Sequence, residues 1–184
     1  MIKRISLSVL GILFLGGGAV ILWLNPLPQR MTYTGYYVAG ESIPTAPEVN
    51  AFAPPIEQVN YDGTKLINLM DFRGDWVLIN FWATWCAPCM IEMPDLQQLY
   101  DEYPDLHIIG VNLDEHPSLV AEWVERLGLT FDIVIDRGEL IRQYPRYGPP
   151  ATYLIGRDGL IKRIDYGTID LETMRQALNQ AGIS

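Results

Sequence analysis

Asn80-Phe81-Trp82-Ala83-Thr84-Trp85-Cys86-Ala87-Pro88-Cys89 contains both cysteines of the 184-residue chain. Just before and within it, residues 76–83 are almost continuously apolar, as expected for a strand buried on both faces. After it, residues 87–103 read as a helix, broken or kinked at Pro94, which removes a backbone donor. Two cysteines placed at random would fall three apart about 1% of the time, so the spacing carries information. A cysteine at the start of a helix meets free N–H groups and the positive end of the dipole, which favour a thiolate. The second cysteine lies one turn on, on the same face, close enough to close a small ring. Pro88 has no N–H to lose in that first turn and stiffens the ring.

Three other uses of such a pair fit less well. A permanent staple between residues three apart removes little loop entropy from a chain this long. Zinc needs more ligands than His107 and His116 supply. Copper could use the pair with a histidine, but His107 begins an apolar strand and His116 sits in a polar loop before Pro117. Thiol redox chemistry is the reading that these residues favour.

Composition narrows the setting. With 49% hydrophobic residues, 19% charged residues and a net charge of −9, the chain is neither disordered nor collagen-like nor a disulfide scaffold. The acidic balance argues against nucleic acid as a partner. Lys3 and Arg4 precede an uncharged, mostly apolar run over residues 5–24. Twenty such residues span a hydrocarbon core of about 30 Å as a helix. The positive flank places residues 1–4 in the cytoplasm and all that follows outside. A cleaved signal peptide ending near Gly16-Gly17-Gly18-Ala19 is the alternative. The uncleaved anchor is favoured because Val20-Ile21-Leu22-Trp23-Leu24 stays apolar beyond that point. The expected address is therefore the bacterial cytoplasmic membrane, single-pass, with the folded domain on the periplasmic side. Without Lys3 and Arg4 the exported part has 11 basic and 22 acidic residues, a net of −11.

Residues 25–51 read as an extended linker, and 25–55 hold six of the 13 prolines. Tyr33, Tyr36 and Tyr37 there form either a docking patch or, more simply, decoration on a spacer. The domain then occupies 52–184. Residues 56–60 and 65–68 flank Asp62-Gly63 as a hairpin. Strands are expected at 107–112 and 131–136, with helices at 117–127 and 139–144. A second hairpin over 152–155 and 160–166 turns at Asp158-Gly159, and a helix over 171–181 closes the chain. This order implies an α/β fold with a mixed sheet covered on both faces.

The cysteine segment resembles the active site of the thioredoxin superfamily. The anchor, Ala53-Pro54 before the first hairpin, Glu92, Pro94 and Pro150-Ala151-Thr152-Tyr153-Leu154-Ile155 resemble the membrane-anchored TlpA/ResA/CcmG (DsbE) group. The similarity spans about residues 52–181. It implies a thioredoxin-like fold with an amino-terminal hairpin extension behind one transmembrane helix, a redox-active Cys86–Cys89 disulfide, and no cofactor or metal. It also implies that Cys86 is the exposed nucleophile, Cys89 the resolving thiol, and Pro150 a cis-proline that offers backbone to a bound peptide. Pro149 before it has no N–H to donate there. Relatives usually keep apocytochrome c cysteines reduced, fed by a membrane thiol transporter of the DsbD/CcdA type; a monomer is expected.

Further positions refine that chemistry. Asn80 stands where thioredoxins usually carry a buried aspartate, and it cannot titrate; its simpler role is a hydrogen-bonded core residue. Glu92, three residues after Cys89, matches a glutamate of the ResA-like members and is a candidate proton acceptor for Cys89. The simpler reading is a surface glutamate favoured by the helix dipole. No lysine or arginine lies between Arg73 and Arg126, whereas ten acids do. Cys86 is therefore expected to be less acidic than in oxidising relatives, which favours a protein-disulfide reductant. Trp82, Trp85, Met90 and Pro149 could form an apolar rim for peptide, although Trp82 could equally be core. Two alternatives remain, an oxidase of the same fold and a copper chaperone using the pair, whereas a third does not, a peroxiredoxin-type peroxidase. The last needs a hydroxyl residue where Ala83 stands and a proline where Ile79 stands, and it is rejected.

Overall fold

A computed structural model describes residues 11–15, 18–22, 37–38, 41–144 and 147–183, in two compact units, 1–34 and 35–184. In the first unit, β1 (Gly11–Leu15) and β2 (Gly18–Leu22) pair antiparallel, with Gly11 opposite Leu22. Of the run 5–24 expected to span as a helix, only the residues of these two strands are described; residues 5–10, 16–17 and 23–24 lie outside the described residues. Four glycines fall within the run at positions 11 and 16–18, and each costs a helix about 1 kcal/mol relative to alanine. Among the described residues no helix is long and apolar enough to cross a membrane. Lys3, Arg4, Trp23, Tyr33 and Tyr36 lie outside the described residues.

The second unit begins with two short antiparallel pairs, β3 (Tyr37–Val38) with β4 (Glu41–Ser42), and β5 (Glu57–Val59) with β6 (Leu66–Asn68). Next come β7 (Trp76–Trp82), α1 (Ala87–Glu102), β8 (Leu106–Leu113), α2 (Pro117–Leu127), β9 (Asp132–Asp136) and α3 (Leu140–Gln143). The chain closes with β10 (Ala151–Ile155), β11 (Ile161–Tyr166) and α4 (Leu171–Gln180). The central sheet has the order β11-β10-β7-β8-β9. Strands β7, β8 and β9 run parallel, while β10 runs antiparallel to both its neighbours. The hairpin β5–β6 joins the β9 side, where the Tyr61 N–H donates to the Ile133 carbonyl.

The apolar run of β7 is explained by what lies on each side of it. Leu78 and Trp82 pack with Met93, Leu96 and Leu99 of α1 and with Met174 and Leu178 of α4. Val77, Ile79 and Phe81 pack on the other side with Ile56, Ile67, Tyr144 and Tyr153. Gly110 on β8 makes room for the Trp82 indole: a Cβ there would come within 3.2 Å of Nε1 and 2.7 Å of Ile133. Gly128 ends α2 in the left-handed region at φ 64°, which glycine enters without steric cost.

Two expectations shift. Helix α1 runs through Pro94 as a single element. Proline at that point removes only the bond to the turn before it, and the buried face of Cys89, Glu92, Met93, Leu96 and Leu99 holds the helix together. The chain is also tied to the domain before residue 52. The Asn50 N–H donates to Ile161, the Phe52 N–H donates to Pro44, and the Ile161 N–H donates to Ala51. Prolines at 44 and 47 read as linker, but the Ala46 N–H donates to Phe52 and the Asn50 N–H reaches the edge strand at Ile161.

Candidate active site

Strand β7 delivers the chain to the carboxyl end of the sheet, and the loop 83–86 turns it into α1. Cys86 is the residue before the helix, and its Sγ accepts a hydrogen bond from the Cys89 N–H at 3.2 Å. Helix starts leave such amides without intrahelical partners, and here one of them is directed at sulfur. Cys86 and Cys89 are joined by a disulfide, with their Cα atoms 5.3 Å apart. Cys86 is 5% exposed and Cys89 1%, so both are largely covered and Cys86 is the more accessible. Trp85, beside them, is 67% exposed and Ile91 is exposed as well. Trp82 is fully buried and belongs to the core rather than the rim. Met90 and Pro149 are half-buried.

The peptide bond between Pro149 and Pro150 is cis. Ala151 pairs with Phe81, which places Pro150 at the same end of the sheet as the loop before Cys86. The neighbouring Tyr147 is exposed, and its ring meets that of Tyr166 edge-on at 5.2 Å between centroids. The sequence offered no periodic signal for this aromatic pair.

Beneath the disulfide lies a polar cluster that joins three elements. Asn80 on β7 donates through Nδ2 to Thr152 Oγ1 on β10 at 2.9 Å and to Glu92 Oε1 on α1 at 3.2 Å. The Thr152 hydroxyl donates to the same Glu92 oxygen at 3.3 Å. Glu92 is 1% exposed, so it is not a surface glutamate of the first turns. Its other oxygen, Oε2, is buried without a hydrogen-bond partner. Burial pushes the Glu92 carboxyl up to about 7. The Thr152 hydroxyl and the Ile169 backbone oppose that rise, while Asp165 and Asp95 add to it. Asn80 is the hydrogen-bonded core residue expected, and Thr152 is its partner through the antiparallel register Thr152 opposite Asn80.

A second polar group braces the loop from outside. The Glu115 carboxylate accepts from the Thr84 N–H at 2.8 Å, from the Thr84 hydroxyl and from Asn112 Nδ2 at 2.7 Å. It ties the residue two before Cys86 to the end of β8. Glu115 stands in a polar stretch, Asp114-Glu115-His116, and nothing local marked it in sequence. His107 lies at the sheet's other end, against Phe72 and 3.5 Å from Asp75, and His116 caps α2 through Nδ1. Among the described residues no group of three or more His, Cys, Asp or Glu side chains is placed to hold a metal ion. Ala83 and Ile79 are both buried core residues.

The arrangement is a dithiol at a helix start with a buried acid one turn below it. Residues 49–164 match the AhpC/TSA family. Two thiol-disulfide oxidoreductases ResA are among the similar proteins. That of Geobacillus thermodenitrificans is 40% identical over 137 residues, covering 73% of this chain and 78% of that one. That of Geobacillus kaustophilus is 38% identical, covering 87% and 91%. A solved structure described as a putative thiol:disulfide interchange protein DsbE from Chlorobium tepidum superposes with a TM-score of 0.66 at 25% identity, covering 76% of this chain and 99% of that one. The chain belongs to the AhpC/TSA family of thioredoxin-like proteins and is a thiol-disulfide oxidoreductase similar to ResA.

Proposed function

We propose that this oxidoreductase works as a membrane-tethered reductant of protein disulfides outside the cytoplasm, with apocytochrome c cysteines as its substrate class. The observation that carries the direction is the lack of basic residues in the stretch of sequence around the cysteines. No lysine or arginine occupies residues 74–125, and the charged side chain placed beneath the disulfide is the Glu92 carboxyl. Strong oxidants of this chemistry stabilise their nucleophilic thiolate, and thereby their reduced form. Here the helix start and the Cys89 amide favour the thiolate, and the acids oppose it.

In the reducing direction, the Cys86 thiolate attacks a substrate disulfide. A mixed disulfide forms and one substrate sulfur leaves as thiolate. The Cys89 thiol gives its proton to Glu92, and the resulting thiolate attacks Cys86 Sγ. The mixed bond breaks, the Cys86–Cys89 disulfide forms, and the second substrate thiolate departs and takes up a proton. Trp85, Pro149 and Pro150 border the path by which a peptide would reach Cys86. The compartment is oxidising, so a membrane thiol transporter of the DsbD/CcdA type is the proposed electron donor.

The tether is the uncharged run over 5–24. A two-stranded hairpin leaves open backbone edges, which hydrocarbon does not tolerate, so the spanning form proposed for this run is a helix. Its orientation follows from Lys3 and Arg4.

Expressing Cys89→Ala in the native host and trapping mixed disulfides on Cys86 tests the reading. Recovery of apocytochrome c or of a membrane thiol transporter supports it. Capture of a broad set of secreted proteins together with a quinone-linked oxidase overturns it.

A further inference from the structure

The cluster beneath the disulfide does not end at Thr152. On the next strand, Asp165 stands opposite Thr152 and Arg163 opposite Leu154, so both side chains lie on the sheet face that carries α1 and α4. They bind each other through two parallel bonds, Nε to Oδ2 at 2.6 Å and Nη2 to Oδ1 at 2.7 Å. A cavity of about 20 Å³ between this pair and α4 is lined by Thr152, Arg163, Asp165, Ile169 and Met174 among others. Nearly all of its remaining lining is aliphatic. Asp165, with Asp95 on α1, is one of the two charged groups that act on Glu92.

We infer that the Arg163–Asp165 ion pair sets the pH at which Glu92 gives up its proton, acting from the neighbouring strand beside Thr152. This rests on the proposed role of Glu92 for its catalytic meaning, but not for its physical content. The groups facing Glu92 are Asp95 and Cys89 on its own helix, Asn80 on β7, Thr152 on β10, Asp165 on β11 and the backbone of Ile169. Asp165 opposes ionisation of Glu92, and Arg163 is the cation that offsets Asp165. The Asp165 side chain is 23% exposed and that of Arg163 39%, so solvent screens the pair in part and its influence on Glu92 is modest rather than that of a fully buried charge. Asp165 and Arg163 are therefore positioning residues for the resolving step. They touch neither thiol, and they hold the acceptor's proton affinity near the pH at which exchange occurs.

The inference fixes the signs of three substitutions. Asp165→Asn removes a negative neighbour and lowers the Glu92 midpoint. Arg163→Met keeps the aliphatic stem but leaves Asp165 uncompensated, and it raises the midpoint. Arg163→Lys restores it. Each displacement is expected to be roughly 0.5 pH unit or more. Carbon-13 carboxyl NMR of Glu92 in the oxidised full-length protein reads the midpoint directly, with thermal melts to confirm folding. The pH midpoint of thiol exchange, measured alongside, should move in the same direction. Opposite displacements by Asp165→Asn and Arg163→Met, with return in Arg163→Lys, support the inference. Unmoved midpoints, or displacements of the same sign, overturn it. If the NMR midpoints move as stated and Glu92→Gln leaves the exchange profile unchanged, the inference stands and the proposed catalytic role of Glu92 falls.

Discussion

Two carboxylates in this domain are equally hidden from water, and they are treated in opposite ways. Asp136, at the end of β9, is 1% exposed. Its Oδ1 accepts from the N–H groups of Gly138, Glu139 and Leu140, and its Oδ2 from that of Ile141, at 2.8–3.1 Å. Four successive N–H groups at the turn into α3 are directed at it, so it holds that turn in place. Glu92, also 1% exposed, has two side-chain donors on one oxygen and none on the other. Burial without full hydrogen bonding is costly. The cost falls at the residue proposed to take up and release a proton. A satisfied buried acid holds a fold together; an unsatisfied one is available for chemistry.

The comparison is first open to attack on the structural side. Asp136→Ala leaves four turn amides without their acceptor, and urea unfolding should show a loss of about 3 kcal/mol or more. The pH dependence of exchange should be unchanged. A loss below about 1 kcal/mol would mean that the turn does not depend on this carboxylate.

Glu92 makes the converse prediction. Its carboxyl lies up at about 7 in the folded domain, against an ordinary value of 4.5. The folded chain therefore holds this proton to higher pH than the unfolded chain does. The stabilisation from that proton is complete below about 4.5 and is lost as pH rises through about 7. Denaturation of the oxidised protein should show about 3 kcal/mol of this dependence, and Glu92→Gln should remove it. An unchanged dependence in Glu92→Gln would place its source in another group.

How far this pairing of acids could be read from sequence depends on distance along the chain. The elements themselves were legible, because β7 is apolar on both faces and the strands and helices around it keep their periods within a residue or two. Cys86 and Cys89 were legible by spacing and position. The contact of Glu92 with Thr152 was not, since it links residues 60 apart through a pairing of β10 with β7 that no local pattern specifies. The brace from Glu115 to Thr84 was hidden for the same reason. Asp136-Arg137-Gly138-Glu139 held a signal that could have been used, an acid and a glycine directly before a helical run.

The smallest effect expected is at the surface. Trp85 is 67% exposed and makes no core contact, so Trp85→Ala should change stability by no more than about 0.5 kcal/mol. It should weaken capture of an unfolded peptide disulfide by roughly tenfold, seen as a rise in KM. A large loss of stability with unchanged KM would move Trp85 from the rim to the scaffold.

The central claim is that the half-satisfied carboxyl of Glu92 takes the Cys89 proton. Its direct test is the rate at which a mixed disulfide preformed on Cys86 is resolved, followed from pH 5 to 9. The wild-type rate should rise with an inflection near the Glu92 midpoint, at about 7. Glu92→Gln should lose that inflection and run roughly 100-fold slower above it. Superimposable profiles for the two proteins would contradict the claim.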